Sequence, residues 1–420
     1  MKSYIIICCF ADKIAGGPIY YSNKAKFMEE QDWNVVVIPA DTGKKAAVPG
    51  LAKYFGPYVP YLGYMPSEFN KRQRERIMAQ LMSFVPENQD EIVIETGTDY
   101  TAYWGELLAQ RIKAKHVVIF LDENNPFITA DVIGFYKFKY DRNELACITK
   151  PVMQNLFKGF MELSLEQCKA LPCDCTNSIE DYDDLLIEKV NKAKYNIGYI
   201  GRLEKPFMPA ILNGFVEFCK AYPCDSISIT FFGGAYHQNT INEIESMFQS
   251  FKNVTTLISG YMYPLPIKAL QKVDVFVSGA GSAFVAAKAG VYSVNIDVLN
   301  YQPTGVFVAD VKGRTSSQCP LGNTVLDYLK WILVDKTELP LPPAEDYKND
   351  WQKVCNAFSL HLDFIKNSSS TIGYFDIINM STSKGRKKRI MRSVIGVEGY
   401  EKLHTGMVQI VKNLKSLING

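Results

Sequence analysis

The chain has 420 residues, 47% of them hydrophobic, which is enough for two or three domains that each bury a core. Lysines and arginines (46) nearly balance aspartates and glutamates (44), so bulk charge gives no reason to expect a nucleic-acid partner. No stretch approaches ~18 uninterrupted apolar residues, which excludes a helical membrane span.

Met1-Lys2-Ser3-Tyr4 leads at once into an apolar run over residues 4–10. It is too short to span a bilayer and no small-residue cleavage site follows, so a cytoplasmic protein is expected. The run reads as a strand, in which Cys8 and Cys9 point to opposite faces and cannot easily bridge. Ala15-Gly16-Gly17-Pro18 follows as a phosphate-ready turn, then a helix-like run from Tyr20 and a second strand over 35–38. Tyr54, Phe55, Tyr58, Tyr61 and Tyr64 precede the basic stretch Lys71-Arg72-Gln73-Arg74-Glu75-Arg76 and the apolar Ile77, Met78, Leu81 and Met82. Exposed aromatics beside a basic amphipathic helix suit an anionic membrane surface; the competing reading is a solvated face. A strand over 91–95 ending at Thr96-Gly97-Thr98-Asp99, a helix over 102–112 and a strand over 116–121 form a βαβ unit, hence a parallel sheet. That last strand delivers Asp122-Glu123-Asn124-Asn125 to the carboxyl edge of the sheet. A carboxylate there could orient an acceptor hydroxyl or take its proton, unless Asp122 only caps a turn before Pro126. Thr96, Thr98 and Asp99 carry the same ambiguity.

Residues 171–184 are acidic and lack periodicity, as expected of a hinge. Cys168, Cys173 and Cys175 are the only cysteine cluster; with no fourth ligand or nearby histidine, reduced thiols are expected rather than zinc. The second half repeats the strand-and-turn grammar. A strand over 195–200 runs into Gly201-Arg202-Leu203-Glu204-Lys205, and a strand over 227–232 into Gly233-Gly234. A strand over 254–258 precedes Gly260, and one over 273–277 runs into Ser278-Gly279-Ala280-Gly281-Ser282, a short helix to Gly290 and a strand over 293–296. Two strand–turn–helix starts predict two Rossmann-like domains, with an anion held by backbone N–H groups on one side and an arginine on the other. Gly279 and Gly281, with Asp297 ending the next strand, leave a dinucleotide site as a minor alternative, because the third glycine is absent. Among the histidines only His237, just after Gly233-Gly234, has a route to such a site. Leu339-Pro340-Leu341-Pro342-Pro343 is a second linker, and residues 384–392 are a second basic run. Leu403, Met407, Ile410, Val411, Leu414 and Leu417 predict an amphipathic last helix whose apolar face must pack somewhere.

In order and spacing, Gly16-Gly17, GYIGRLEKP at 198–206, FFGG at 231–234, ISGYM at 258–262 and VDVFVSGAGSAFVAAKAG at 273–290 resemble a known family. They are similar to the family-4-type glycosyltransferases of the GT-B fold, especially bacterial enzymes of surface-polysaccharide biosynthesis. The resemblance implies an α/β protein whose two Rossmann-like domains face each other across a cleft. Residues 1–185 would form the acceptor domain, 186–380 the nucleotide-sugar domain, and 381–420 a basic segment and a C-terminal helix crossing back to the first domain. It implies sugar transfer, of retaining type, from a nucleotide-sugar donor to a glycan or lipid-linked oligosaccharide. The donor serves as co-substrate, with no cofactor and no metal in the site, and the place of work is the cytoplasm, at the inner face of the membrane.

Physical chemistry assigns roles within that frame. Breaking the anomeric C–O bond leaves negative charge on a diphosphate, which Arg202 can meet with its planar fork and Lys205 with a point charge. Gly16 and Gly17 bring unobstructed N–H groups, and Gly281 and Ser282 offer N–H groups and a hydroxyl at a helix start. Asp122 and Glu123 are the catalytic candidates on the acceptor side. A surface arginine capping a helix is the competing reading for Arg202. Two departures from the family pattern matter. Phe207 stands where its lysine usually falls, and Val285 and Ala286 occupy the region of the second of its paired glutamates. The alternative is therefore a non-catalytic subunit of the same fold beside an active transferase.

Overall fold

The computed structural model describes residues 2–9, 13–40, 45–87, 90–97, 99–121, 130–190, 192–279, 281–307, 315–340, 350–369, 373–380 and 383–418. The chain forms two compact units: Met1–Asp174 together with Val354–Gly420, and Cys175–Lys353.

In the first unit strands and helices alternate: β1 (Lys2–Cys8), α1 (Gly16–Glu30), β2 (Trp33–Pro39), α2 (Lys71–Met82), β3 (Glu91–Thr96), α3 (Asp99–Ile112), β4 (Lys115–Phe120), α4 (Ala130–Asp141), β5 (Leu145–Cys147) and α5 (Lys150–Phe157). The sheet order is β2-β1-β3-β4-β5 and every pairing is parallel. A parallel sheet needs cover on both faces, and β1 is accordingly buried from Ser3 to Cys8. Ile5 and Ile7 join Ile94, Val118 and Phe120 in one core, while Tyr4 and Glu95 point to the opposite face. Sequence reasoning started the first helix at Tyr20; it starts at Gly16. Ala15 is extended as the N-cap, and Pro18 sits in the first turn, where its missing N–H costs no helical hydrogen bond.

The second unit holds β6 (Ile179–Glu180), α6 (Leu185–Lys189), β7 (Tyr195–Ile200), α7 (Met208–Ala221), β8 (Ile227–Phe232), α8 (Gln238–Gln249), β9 (Val254–Ile258), β10 (Leu265–Pro266), α9 (Ile267–Leu270), β11 (Val275–Gly279), α10 (Gly281–Lys288), β12 (Tyr292–Ile296), β13 (Pro303–Phe307), β14 (Thr315–Ser317) and α11 (Val325–Leu329). Its main sheet runs β14-β13-β12-β11-β7-β8-β9, parallel from β12 to β9 and antiparallel at β13 and β14. In both sheets the first strand lies inside the order, so connections leave it to both sides. These topological switch points lie between β1 and β3 and between β7 and β11, where ligands of open α/β sheets bind.

The chain returns to the first unit through α12 (Asp350–Lys366) and α13 (Ser383–Ile418). Phe358 of α12 packs 5.6 Å from the ring of Tyr20 and 5.7 Å from that of Phe27. Beneath it Glu95 accepts from Tyr4 and, at 2.7 Å, from Tyr20, with Lys24 Nζ 3.4 Å away. On α13, Arg392 is 1% exposed. Its guanidinium pairs with Glu68 and, at 2.9 Å, with Glu401, and lies 4.5, 5.0 and 4.8 Å from the rings of Tyr64, Phe69 and Tyr400. This clasp corrects the expectation of a row of exposed aromatics beside α2. Tyr54 is buried with its hydroxyl donating to Glu29 at 2.8 Å, Tyr61 and Tyr64 are half-buried, and only Tyr58 of the hydroxylated set is exposed. The second basic run is likewise partly internal, since Lys388 joins Arg392 on Glu68, at 3.2 Å. Among the described residues, no three His, Cys, Asp or Glu side chains converge as a metal would need.

Candidate functional site

The carboxyl ends of β7, β8 and β11 assemble the candidate site of the second unit. β7 pairs with β11 only at Val275↔Ile197 and Phe276↔Gly198, and beyond that the Ile200 N–H donates to Ser278 Oγ at 2.9 Å. A hydroxyl therefore bridges the two strands at the mouth of the switch point. Gly201 follows with φ +138°, a conformation that a side chain would strain. Next to it the end of β8 comes so close that a Cβ on Gly233 would lie 1.8 Å from the Gly201 carbonyl oxygen. The glycines thus bring the two strand ends into contact.

Arg202 projects from this turn. Its Nη1 donates to the Tyr236 hydroxyl at 2.8 Å, its guanidinium carbon lies 5.0 Å from the Tyr236 ring, and its backbone carbonyl accepts from Tyr199 at 2.8 Å. Glu204 Oε1 accepts from the backbone N–H groups of Tyr236 and, at 3.2 Å, His237. Tyr261 completes the group, its ring 6.1 Å from that of Tyr236. Burial, then the neighbouring Tyr236 and Glu204, push the Tyr261 hydroxyl above its usual range, so it stays protonated as a donor. Three buried atoms here lack a hydrogen-bond partner: Arg202 Nε, Glu204 Oε2 and the Tyr261 hydroxyl. Unsatisfied donors and an acceptor at a sheet edge are costly unless a ligand meets them.

The sequence-derived residues divide into those that converge and those that do not. Gly201 and Ser282 meet at the switch point, where a Cβ on Gly201 would come within 3.3 Å of Ser282 Oγ, while the guanidinium of the next residue, Arg202, turns to Tyr236. Lys205 lies with its ammonium 5.8 Å from the Phe207 ring, and Phe207 is buried in the core beside it. Gly16 and Gly17 are the first two residues of α1, at the switch point of the first unit, where the first N–H groups of a helix have no intrahelical acceptor. Asp122, Glu123 and Thr98 lie outside the described residues. Thr96 is internal, its hydroxyl 2.9 Å from His116 Nε2. His237 contributes only its backbone N–H to the cluster described above. Sequence reasoning missed Glu204, Tyr236 and Tyr261 as site residues. Glu204 and Tyr261 stood inside recognised segments, whereas nothing in the chain's order linked Tyr236 to Arg202.

No protein-family model matches the chain, and no curated protein sequence does. Solved structures do match. A glycosyltransferase from Rickettsia africae aligns with a TM-score of 0.51 at 12% identity, covering 94% of this chain and 99% of that one. HepE from Anabaena, solved with UDP-glucose, aligns with a TM-score of 0.51 at 12% identity, over 93% of this chain and 99% of its own. The fold is GT-B. A UDP-GlcNAc 2-epimerase from Neisseria meningitidis, bound to UDP-GlcNAc, aligns over 88% of this chain and 100% of its own at 12% identity; its TM-score of 0.45 is too low to weigh. Within this GT-B chain the departures noted in the sequence have a structural form. Val285 and Ala286 are fully buried with Phe232 and Phe276, so that stretch of α10 faces core. Asp297, the acid of the dinucleotide alternative, accepts the N–H groups of Leu299 and Asn300 at 2.8 and 3.0 Å and so caps its own turn.

Proposed function

We propose that the chain is a glycosyltransferase that moves a sugar from a nucleotide-sugar donor to a glycan or lipid-linked acceptor. The observation that carries this reading is the switch point of the second unit. There Arg202, with a buried Nε still lacking a partner, directly follows Gly201, where a Cβ would lie 3.3 Å from Ser282 Oγ in the first turn of α10. Arg202 would hold the donor diphosphate and neutralise the charge that grows as the anomeric bond breaks, with Gly281 N–H and Ser282 Oγ completing the cradle. Glu204 Oε2 and the Tyr261 hydroxyl supply an acceptor and a donor suited to hydroxyl groups of the ribose or the sugar. Gly16 and Gly17 would offer N–H groups to an anion at the start of α1. Lys205, close to Phe207, is a secondary contributor. Asp122 and Glu123 remain the proposed groups that orient the acceptor hydroxyl and accept its proton. Retention of configuration, and a role in surface-polysaccharide synthesis, come with the family resemblance.

One observation favours a second reading. Val285 and Ala286, buried in the core, leave no carboxylate on that part of α10 to grip the ribose, as a non-catalytic partner of an active transferase would tolerate. Incubating the protein with a panel of sugar nucleotides and measuring nucleoside diphosphate release separates the two. Release that rises with a glycan or polyprenyl-phosphosugar acceptor supports transfer. Binding of nucleoside diphosphate without release from any donor supports the non-catalytic reading.

A further inference from the structure

The clasp on Arg392 fixes the rotation of α13 about its own axis, and this decides what the helix shows to solvent. From Ser383 the helix runs unbroken to a kink at Gly396 (φ 76°, ψ 166°). At 100° per residue, Arg386, Lys387, Ile390 and Val394 fall on the side opposite Arg392, with Met391 on its flank. All five are exposed, with Ile390 62%, Met391 47% and Val394 77% accessible. A helix held to the first unit by a buried cation therefore carries three large apolar side chains outward on purpose-built footing. The charge of the stretch that carries them has one sign. Residues 383–397 contain no aspartate or glutamate. The exposed Lys71, Arg72 and Arg76 of α2 lie close by, because the Asn70 side chain at its N-cap donates to Ser393 Oγ at 3.3 Å and Gln73 donates to the Arg392 carbonyl at 3.3 Å.

We infer that this face of α13, flanked by the basic start of α2, is a docking site for an anionic lipid surface. Apolar side chains projecting between arginines and lysines match the acyl–headgroup boundary. The aliphatic stems of Arg386 and Lys387 reach along it while their charges meet phosphate. A protein partner or a second copy would have to be both acidic and apolar at one patch. This inference does not depend on the transfer reaction and can fail or hold separately from it.

Sedimentation of the full-length protein with phosphatidylcholine vesicles, with and without phosphatidylglycerol, tests it. Binding is expected only with the anionic lipid and should weaken as salt shortens the ~10 Å screening length of a moderate buffer. Ile390→Glu combined with Val394→Glu should reduce that binding by roughly tenfold or more, and Arg386→Ser combined with Lys387→Ser by several-fold, with unchanged circular dichroism because every altered side chain is exposed. Equal partition to both vesicle types, no partition to either, or an Ile390/Val394 variant that binds like the wild type would overturn it. So would a dimer in analytical ultracentrifugation that those two substitutions dissolve.

Discussion

Arg202 is the residue on which the reading of the site turns, and its surroundings set the size of the effect expected from removing it. The guanidinium already lies 5.0 Å from the Tyr236 ring and donates to its hydroxyl, which orders the fork before any ligand arrives. Arg202→Ala should weaken nucleoside diphosphate binding by ~1.5–3 kcal/mol, the scale of a charge-assisted hydrogen bond, with little loss of stability. Arg202→Lys should restore only part of it, since a point charge cannot reproduce the fork. Calorimetric titration showing wild-type affinity in the alanine variant would remove Arg202 from the site. The glycines give a second test by contrast. A Cβ on Gly233 meets backbone at 1.8 Å, so Gly233→Ala should cost about 3 kcal/mol or more, because neither strand end can move alone. Among the described residues a Cβ on Gly17 meets nothing nearer than Tyr21 at 3.8 Å, so Gly17→Ala should leave the melting temperature unchanged or raised. If the start of α1 also approaches an anion, the same variant should lose ligand affinity while gaining stability. The sequence made Gly201-Arg202 legible because a strand ending at glycine and arginine is a local pattern. It could not reveal Tyr236, whose pairing with Arg202 depends on how β7 and β8 lie side by side.

Among the elements, α13 and the strand β4 carry the charges that folding had to bury. Arg392→Met should cost ~3 kcal/mol or more, because Glu68 and Glu401 lose a cation shared between them while the three rings keep a side chain to pack on. Adding Glu68→Gln and Glu401→Gln should recover part of the loss; a triple variant as unstable as the single one would show that the charge pairing is not what matters. Nothing in the sequence disclosed this clasp. One arginine within a basic run reads as solvated, and Glu68 and Tyr64 lie far away along the chain. On β4, His116 Nδ1 lies 2.7 Å from Glu106 Oε2, and on α12 His361 Nε2 lies 3.0 Å from the Pro172 carbonyl oxygen. Burial first, then the nearby Lys139, lowers the pKa of His116; burial first, then Lys24, takes that of His361 further down. Both histidines are neutral in the folded protein, and the unfolded chain takes up their protons near pH 6.5. Stability present above that pH is therefore lost below it, by up to about 1.4 kcal/mol per pH unit for each histidine. Glu106 adds a lower window. Burial would raise its carboxyl, but the His116 hydrogen bond and the Lys139 charge hold it at about 2, so its share is lost as pH falls from the ordinary carboxylate range to that value. Melting temperatures should drop from about pH 7 to about pH 5, less steeply in His361→Phe; a flat wild-type profile would contradict the assignment.

At the scale of the molecule, the alternation of strands and helices was written in periodicity and turn residues, and the parallel pairings of both sheets follow from it. β7, β8 and β9 follow one another through α7 and α8, whereas β11, on the other side of β7, is reached only after α9. The boundaries were less legible. The first unit ends at Asp174, inside the acidic stretch 171–184 that sequence reasoning marked as a hinge while setting the domain edge at 185. The return to the first unit comes at Val354, well before residue 381, because an amphipathic helix such as α12 announces an apolar face and not the sheet it covers. This connectivity predicts an asymmetry. Residues 175–353 form one continuous segment with its own sheet and core, so that fragment should fold alone, unfold cooperatively and keep Arg202-dependent nucleotide binding. Residues 1–174 lack the helices that cover Tyr20 and Phe27 and that pair Glu68, so the complementary fragment should be molten or aggregate until the 354–420 segment is supplied. Thermal unfolding of the two fragments, followed by far- and near-ultraviolet circular dichroism, distinguishes the cases. A well-packed 1–174 fragment would mean that α12 and α13 are accessories, and a 175–353 fragment without a cooperative transition would mean that the second unit depends on the first.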